Sequence, residues 1–186
     1  KKKNINITVE EKPTGEILAS AGVGSDGGTI GFSISEKNFM GRGIGLTTSA
    51  NISEERFKGE FTVLNPNFNY SDKSLSTSIF ATDTDKMAAS GYESTEVGFS
   101  FGTNFEQYNN LYFAPSFRVM SEELTTDSSA SASIKKQEGN YFTSTIGYAF
   151  DYDLRNQRFQ TTDGFRSRFN QELPVISESD SLISSY

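Results

Sequence analysis

Thr95-Glu96-Val97-Gly98-Phe99-Ser100-Phe101-Gly102 sets an apolar side chain at every second position and a small or charged one between. In an extended chain successive side chains point to opposite faces. Val97, Phe99 and Phe101 therefore share one side, and Glu96, Gly98, Ser100 and Gly102 share the other. The pattern repeats in both directions. Thr29–Ser35 gathers Ile30, Phe32 and Ile34 opposite Gly31, Ser33 and Ser35, and Phe57–Val63 opposes Phe57, Gly59, Phe61 and Val63 to Lys58, Glu60 and Thr62. Leu111–Val119 collects Leu111, Phe113, Pro115, Phe117 and Val119, and Tyr141–Tyr152 collects Phe142, Ile146, Tyr148, Phe150 and Tyr152. Fainter versions occupy Ile17–Val23, Ile44–Ile52, Leu75–Thr82 and Phe165–Leu173. This predicts an all-β, antiparallel up-and-down meander of about nine strands of roughly 7–12 residues, the length that crosses a bilayer at a tilt. No segment carries the 3.6-residue stripe of an amphipathic helix, and no apolar run is long enough for a transmembrane helix.

The connectors alternate in character. Asp26-Gly27 within Ser25-Asp26-Gly27-Gly28 is a strong hairpin signal, and Asn38–Gly43 and Asn65–Lys73 are short. Asp83–Tyr92 and Ser121–Asn140 read as longer polar loops. Short turns at one end and longer loops at the other match the layout of an outer-membrane barrel. Asn4–Val9 also alternates, but Glu10-Glu11-Lys12-Pro13 interrupts it, so residues 1–13 are expected to close a preceding soluble, periplasmic module. The barrel portion is then expected over residues 14–186. Because Lys1-Lys2-Lys3 is followed by polar Asn4-Ile5-Asn6, the chain is expected to begin after any export signal, and to stop short of a closing strand.

Composition narrows the function. The 186 residues include 16 Phe and 8 Tyr but only 34% hydrophobic residues. A barrel wall needs one apolar face per strand, so low mean hydropathy is compatible with life in lipid. His and Cys are both absent. That excludes imidazole bases, thiol nucleophiles, Ser-His-Asp triads and the usual zinc sites from these residues. A net charge of −7 disfavours nucleic acid as a partner. Gly22, Gly24, Gly27 and Gly28 are followed by a strand pattern rather than the helix a phosphate loop requires, so they read as a turn. The pairs Glu54/Glu55, Glu122/Glu123 and Asp151/Asp153 read as solvated faces beside loops or at strand ends. Neither catalytic nor metal-binding residues are expected, and the protein is not expected to be an enzyme.

The apolar faces admit two architectures. They could form the dry layer between the sheets of a sandwich, or face lipid around a wet lumen lined by Gly31, Ser33, Ser35, Ser76, Ser78, Gly98, Ser100 and Gly147. Periodicity does not separate them. In the lipid reading Ile30, Phe32, Phe61, Phe99, Phe113, Phe117, Ile146 and Phe150 face the acyl chains, with Tyr141 and Tyr152 near the two interfaces.

Four segments resemble, in order, those of BamA-type outer-membrane protein insertases. Val9–Glu16 running into Ala21–Gly28 resembles the passage from the last periplasmic POTRA module into the first barrel strand. Glu36–Gly43 is similar to the second strand and first periplasmic turn, and Asn65-Pro66-Asn67-Phe68 to the turn after the fourth strand. Tyr152–Arg155 with Thr161–Arg166 resembles the segment between the eighth and ninth strands. The resemblance implies the N-terminal strands, one to nine, of a transmembrane β-barrel with about 16 strands. It implies insertion and folding of other barrel proteins in the bacterial outer membrane, without cofactor or nucleotide. Its expected partners are the lipid bilayer, unfolded outer-membrane protein clients and accessory assembly lipoproteins. Related TamA-like translocation factors and two-partner secretion pores are the alternative. Small side chains and glycines make Glu16–Gly24 a weakly specified edge, with Leu18, Ser20 and Gly22 expected to engage a client strand through main-chain groups.

Overall fold

A computed structural model describes residues 10, 12–24, 27–176 and 183–185. Asn4–Val9 and most of the expected preceding module lie outside them. The strands are β1 (Gly15–Gly24), β2 (Gly27–Phe39), β3 (Ile44–Ser53), β4 (Arg56–Asn65), β5 (Ser74–Lys86), β6 (Tyr92–Tyr108), β7 (Leu111–Thr126), β8 (Gly139–Asp153), β9 (Arg166–Ile176) and β10 (Ile183–Ser185). They form one ten-stranded sheet in sequence order, every neighbouring pair antiparallel. All nine alternating segments are strands, and three-residue β10 is added beyond them.

A single sheet has no second layer to pack against. Ala130 is the one buried hydrophobic residue among those described, and it sits in a loop rather than a core. The sandwich reading therefore fails: among the described residues no opposing sheet covers the Phe-bearing face.

The longer polar loops are shorter than expected. β5 runs on to Lys86 and a helical turn, α1 (Met87–Ser90), leads to Gly91 in the left-handed region at φ 71°. β7 continues to Thr126 and β8 begins at Gly139, with α2 (Ala132–Lys135) between. Alternation fails in these extensions because the face that carries the large apolar residues elsewhere turns polar. Glu93 pairs with Thr125, and Thr95 with Glu123, on the same face that carries Val97 and Phe99 further along. Main-chain ladders hold such a hairpin in water without an apolar stripe, so its sequence resembles a loop. Asp127, just after β7, accepts hydrogen bonds from the Ser129 hydroxyl at 2.6 Å and its N–H at 2.7 Å, which hold this carboxyl below the usual carboxylate range.

Two local features explain irregular pairing. Pro115 lies inside β7, where the β6–β7 ladder skips from Gly102–Ser116 to Phe105–Phe113; proline has no N–H to contribute there. Between β8 and β9 the register shifts at Ser144/Thr145, where Thr145 pairs with Pro174.

Candidate functional site

Residues paired across antiparallel strands share a face, so the register assigns every side chain. Phe61, Ile79, Phe99 and Val119 form one directly paired row across β4 to β7. By the same register Ile30, Phe32, Phe61, Phe99, Phe113, Phe117, Ile146 and Phe150 all fall on that face. Phe32 is 52% exposed and Ile146 45%, although both are large and apolar. Rings run across the wall from β6 to β9. Phe101 lies 5.8 Å from Phe117, Phe113 stacks on Phe150 at 4.9 Å, and Tyr148 meets Phe169 at 6.2 Å. Such ring pairs tie neighbouring strands beyond their area burial.

The opposite face is polar. Thr62 and Ser78 are 2.9 Å apart through their hydroxyls, and Glu96 directly opposes Glu122. A shallow cavity of about 260 Å³ opens on this face between Ser76, Ser100, Ser116, Arg118 and Glu172. One aromatic departs from the pattern. Phe80 sits on the polar face directly opposite Gly98, and the Arg118 guanidinium lies 5.0 Å from its ring centroid. A Cβ at Gly98 would come within 2.2 Å of the Phe80 ring, so the glycine is the socket for that ring. The sequence places Gly98 among the small lumen-type residues but carries no signal that a ring covers it.

Sequence reading also missed an ionic cluster near the β8–β9 connection. Asp151 accepts from Arg166 through Nε at 2.8 Å and through Nη2, and from Arg168 at 3.1 and 2.6 Å. Asp153 accepts from Arg155 at 2.8 and 2.7 Å. The Asp151/Asp153 pair is thus bound to guanidinium groups and is not a solvated face. The available signal was Asp-x-Asp on one strand and Arg-x-Arg on the next, which share a face when the strands pair. Among the described residues no set of three or more carboxylates converges as metal ligands.

β1 is one edge of the described sheet, and β10 is the other. All ten of its residues are exposed, and among the described residues it pairs only with β2. Leu18 pairs with Ser33, Ser20 with Gly31 and Gly22 with Thr29, so these three side-chain positions lie on the polar face. Lys37 N–H donates to the Thr14 carbonyl at 3.3 Å, which marks a hydrogen-bonded pair one step before Gly15–Glu36. Hydrogen-bonded and non-hydrogen-bonded pairs alternate along an antiparallel ladder. Main-chain groups of Leu18, Ser20 and Gly22 therefore turn toward β2, and those of Ile17, Ala19, Ala21 and Val23 turn toward the open edge.

The Omp85 superfamily domain matches residues 38–186, which takes in the sheet from the end of β2 onward. The chain belongs to the Omp85 superfamily. Among solved structures, this Omp85 sheet is similar to "The crystal structure of BamA from Haemophilus ducreyi lacking POTRA domains 1-3", with a TM-score of 0.67 and 18% identity. The likeness covers 89% of this chain and 35% of that one, so the Omp85 sheet described here spans about a third of that chain's length. No curated protein matches the sequence. The family match and the shared fold agree with the resemblance drawn from the four sequence segments, and they place the polar and apolar faces within a barrel-type wall.

Proposed function

We propose that this chain is part of an outer-membrane protein insertase of BamA type, which folds client barrels by offering the open edge of β1 as a template. The observation that carries the reading is the make-up of β1: an edge strand among the described residues, exposed throughout and, apart from Glu16, built of Ile, Leu, Ala, Ser, Val and Gly, so that little side-chain packing fixes its register. Unpaired N–H and C=O groups on an edge strand recruit another strand by β-augmentation. Gly22 and Gly24 have nothing within 4 Å of where a Cβ would sit, so they add backbone freedom without packing.

In this reading Ile30, Phe32, Phe61, Phe99, Phe113, Phe117, Ile146 and Phe150 face lipid in the bacterial outer membrane. Unfolded outer-membrane proteins are the clients, accessory lipoproteins assist, and strand exchange needs no enzyme chemistry or cofactor. In place of the expected Leu18, Ser20 and Gly22, whose main-chain groups turn toward β2 in this register, hydrogen bonds to the client come from Ile17, Ala19 and Ala21. Leu18 and Ser20 then occupy non-hydrogen-bonded positions opposite an antiparallel client strand, where Cα atoms approach to about 4.5 Å. That spacing permits disulfides.

The test is crosslinking during client assembly, with cysteine at Leu18 or Ser20 and cysteines along the client's terminal strand. Crosslinks from both positions, stepping by two along the client, support templating. Equal crosslinking from Ser78 in mid-wall β5 would remove any special role for the first strand and leave a translocation or secretion pore of the same superfamily as the better reading.

A further inference from the structure

Four guanidinium groups, from Arg155, Arg158, Arg166 and Arg168, line one cavity of about 250 Å³ with only Asp151 and Asp153 as carboxylates. The chain as a whole carries −7, so this local excess of positive charge runs against the average. The two carboxylates orient three of the four cations. Arg155 lies against Asp153 at 2.7 Å, while Arg166 and Arg168 converge on Asp151, whose side chain is 16% exposed.

A guanidinium has five N–H donors and a two-point pair consumes two, so each oriented arginine keeps donors to spare. Arg158 has no ionic or hydrogen-bonding partner among the described residues, and it lines the same cavity. Its loop is itself held in shape. The Asn156 side-chain amide donates through Nδ2 to the Thr162 hydroxyl at 2.8 Å, and its Oδ1 accepts from the N–H groups of Thr162 and Asp163 at 3.3 Å. Gly164, at φ 89°, brings the chain so close to Leu154 that a Cβ would lie 2.1 Å from its carbonyl oxygen. Tyr112 and Asn104 complete the wall with a hydroxyl and an amide.

We propose that this cavity is an oxyanion-binding site, which takes a ligand presenting two coplanar acceptor oxygens, a carboxylate or a phosphate, between Arg158 and the free edges of Arg166 and Arg168. Asp151 and Asp153 position the cations and do not touch the ligand. A network that served only to pin β8 to β9 would need no fourth guanidinium, and Arg158, without a partner among the described residues, adds one to the same cavity.

The intact protein in detergent micelles is titrated with pyrophosphate and, separately, with a short end-blocked peptide whose only charged group is one glutamate, and binding is followed by calorimetry. Saturable one-to-one binding of either probe, weakened at least tenfold by Arg158→Gln and unchanged by Arg42→Gln, is the expected result. Whichever probe binds more tightly identifies the source of the oxyanion. Arg158 has no hydrogen-bonding or ionic partner among the described residues, so its substitution is expected to leave the fold in place, which heat-modifiable gel mobility verifies. Arg168→Gln should weaken binding as well. Absence of binding by both probes, or binding indifferent to Arg158→Gln, overturns the proposal.

Discussion

Gly98 shows how much one residue decides within a wall that otherwise alternates. The Phe80 ring occupies the space a side chain at 98 would need, and Arg118 lies over that ring. Gly98→Ala is therefore expected to destabilise the sheet by about 1–3 kcal/mol, the usual range for overpacking a filled site. Phe80→Leu should recover most of that loss in the double variant, because it removes the obstructing ring edge. Urea unfolding of the four proteins in detergent gives the coupling energy, and additive effects would mean that the two residues do not meet. Gly22, with nothing near its missing Cβ, serves as control: Gly22→Ala should not depend on Phe80.

At the scale of the strand, the two faces of β4 predict opposite responses to charge. Phe61 belongs to the row with Ile79, Phe99 and Val119, whereas its neighbour Thr62 bonds the Ser78 hydroxyl on the other face. If the first face meets lipid, Phe61→Arg at mid-strand costs about 2–4 kcal/mol in the bilayer. Thr62→Arg should be far milder, since the lumen accepts charge. Folding equilibria in lipid vesicles measure both, and equal costs for the two would contradict the assignment of faces. The strand boundaries carry a further lesson. Ser121–Asn140 reads as loop because alternation stops after Val119, yet β7 and β8 pair as far as Leu124–Gly139. Where water bathes both faces, a hairpin needs no apolar stripe, so periodicity is silent there.

For the whole molecule, the meander places the connections after β2, β4, β6 and β8 at one end and those after β3, β5 and β7 at the other. The insertase reading puts the first end, with Asn38–Gly43, Asn65–Lys73 and Leu154–Gly164, in the periplasm. An epitope tag placed between β7 and α2 should then be labelled on intact cells, while one between Asn65 and Lys73 should need permeabilisation. The reverse pattern would invert the topology.

The sequence by itself determined the strands and their facing, because a period of two is a local property written in Val97, Phe99 and Phe101 and repeated along the chain. It also determined which chemistry is absent, since no residue can act as an imidazole or thiol that the chain lacks. The choice between sandwich and wall was left to tertiary structure, because both place the same residues on one side and differ only in what covers them. The Phe80–Gly98 contact, the Asp151–Arg166–Arg168 cluster and the direction of β1's free main-chain groups are likewise set by register. Each depends on which residue of one strand stands opposite which residue of the next, and that alignment is a property of paired strands rather than of either strand alone.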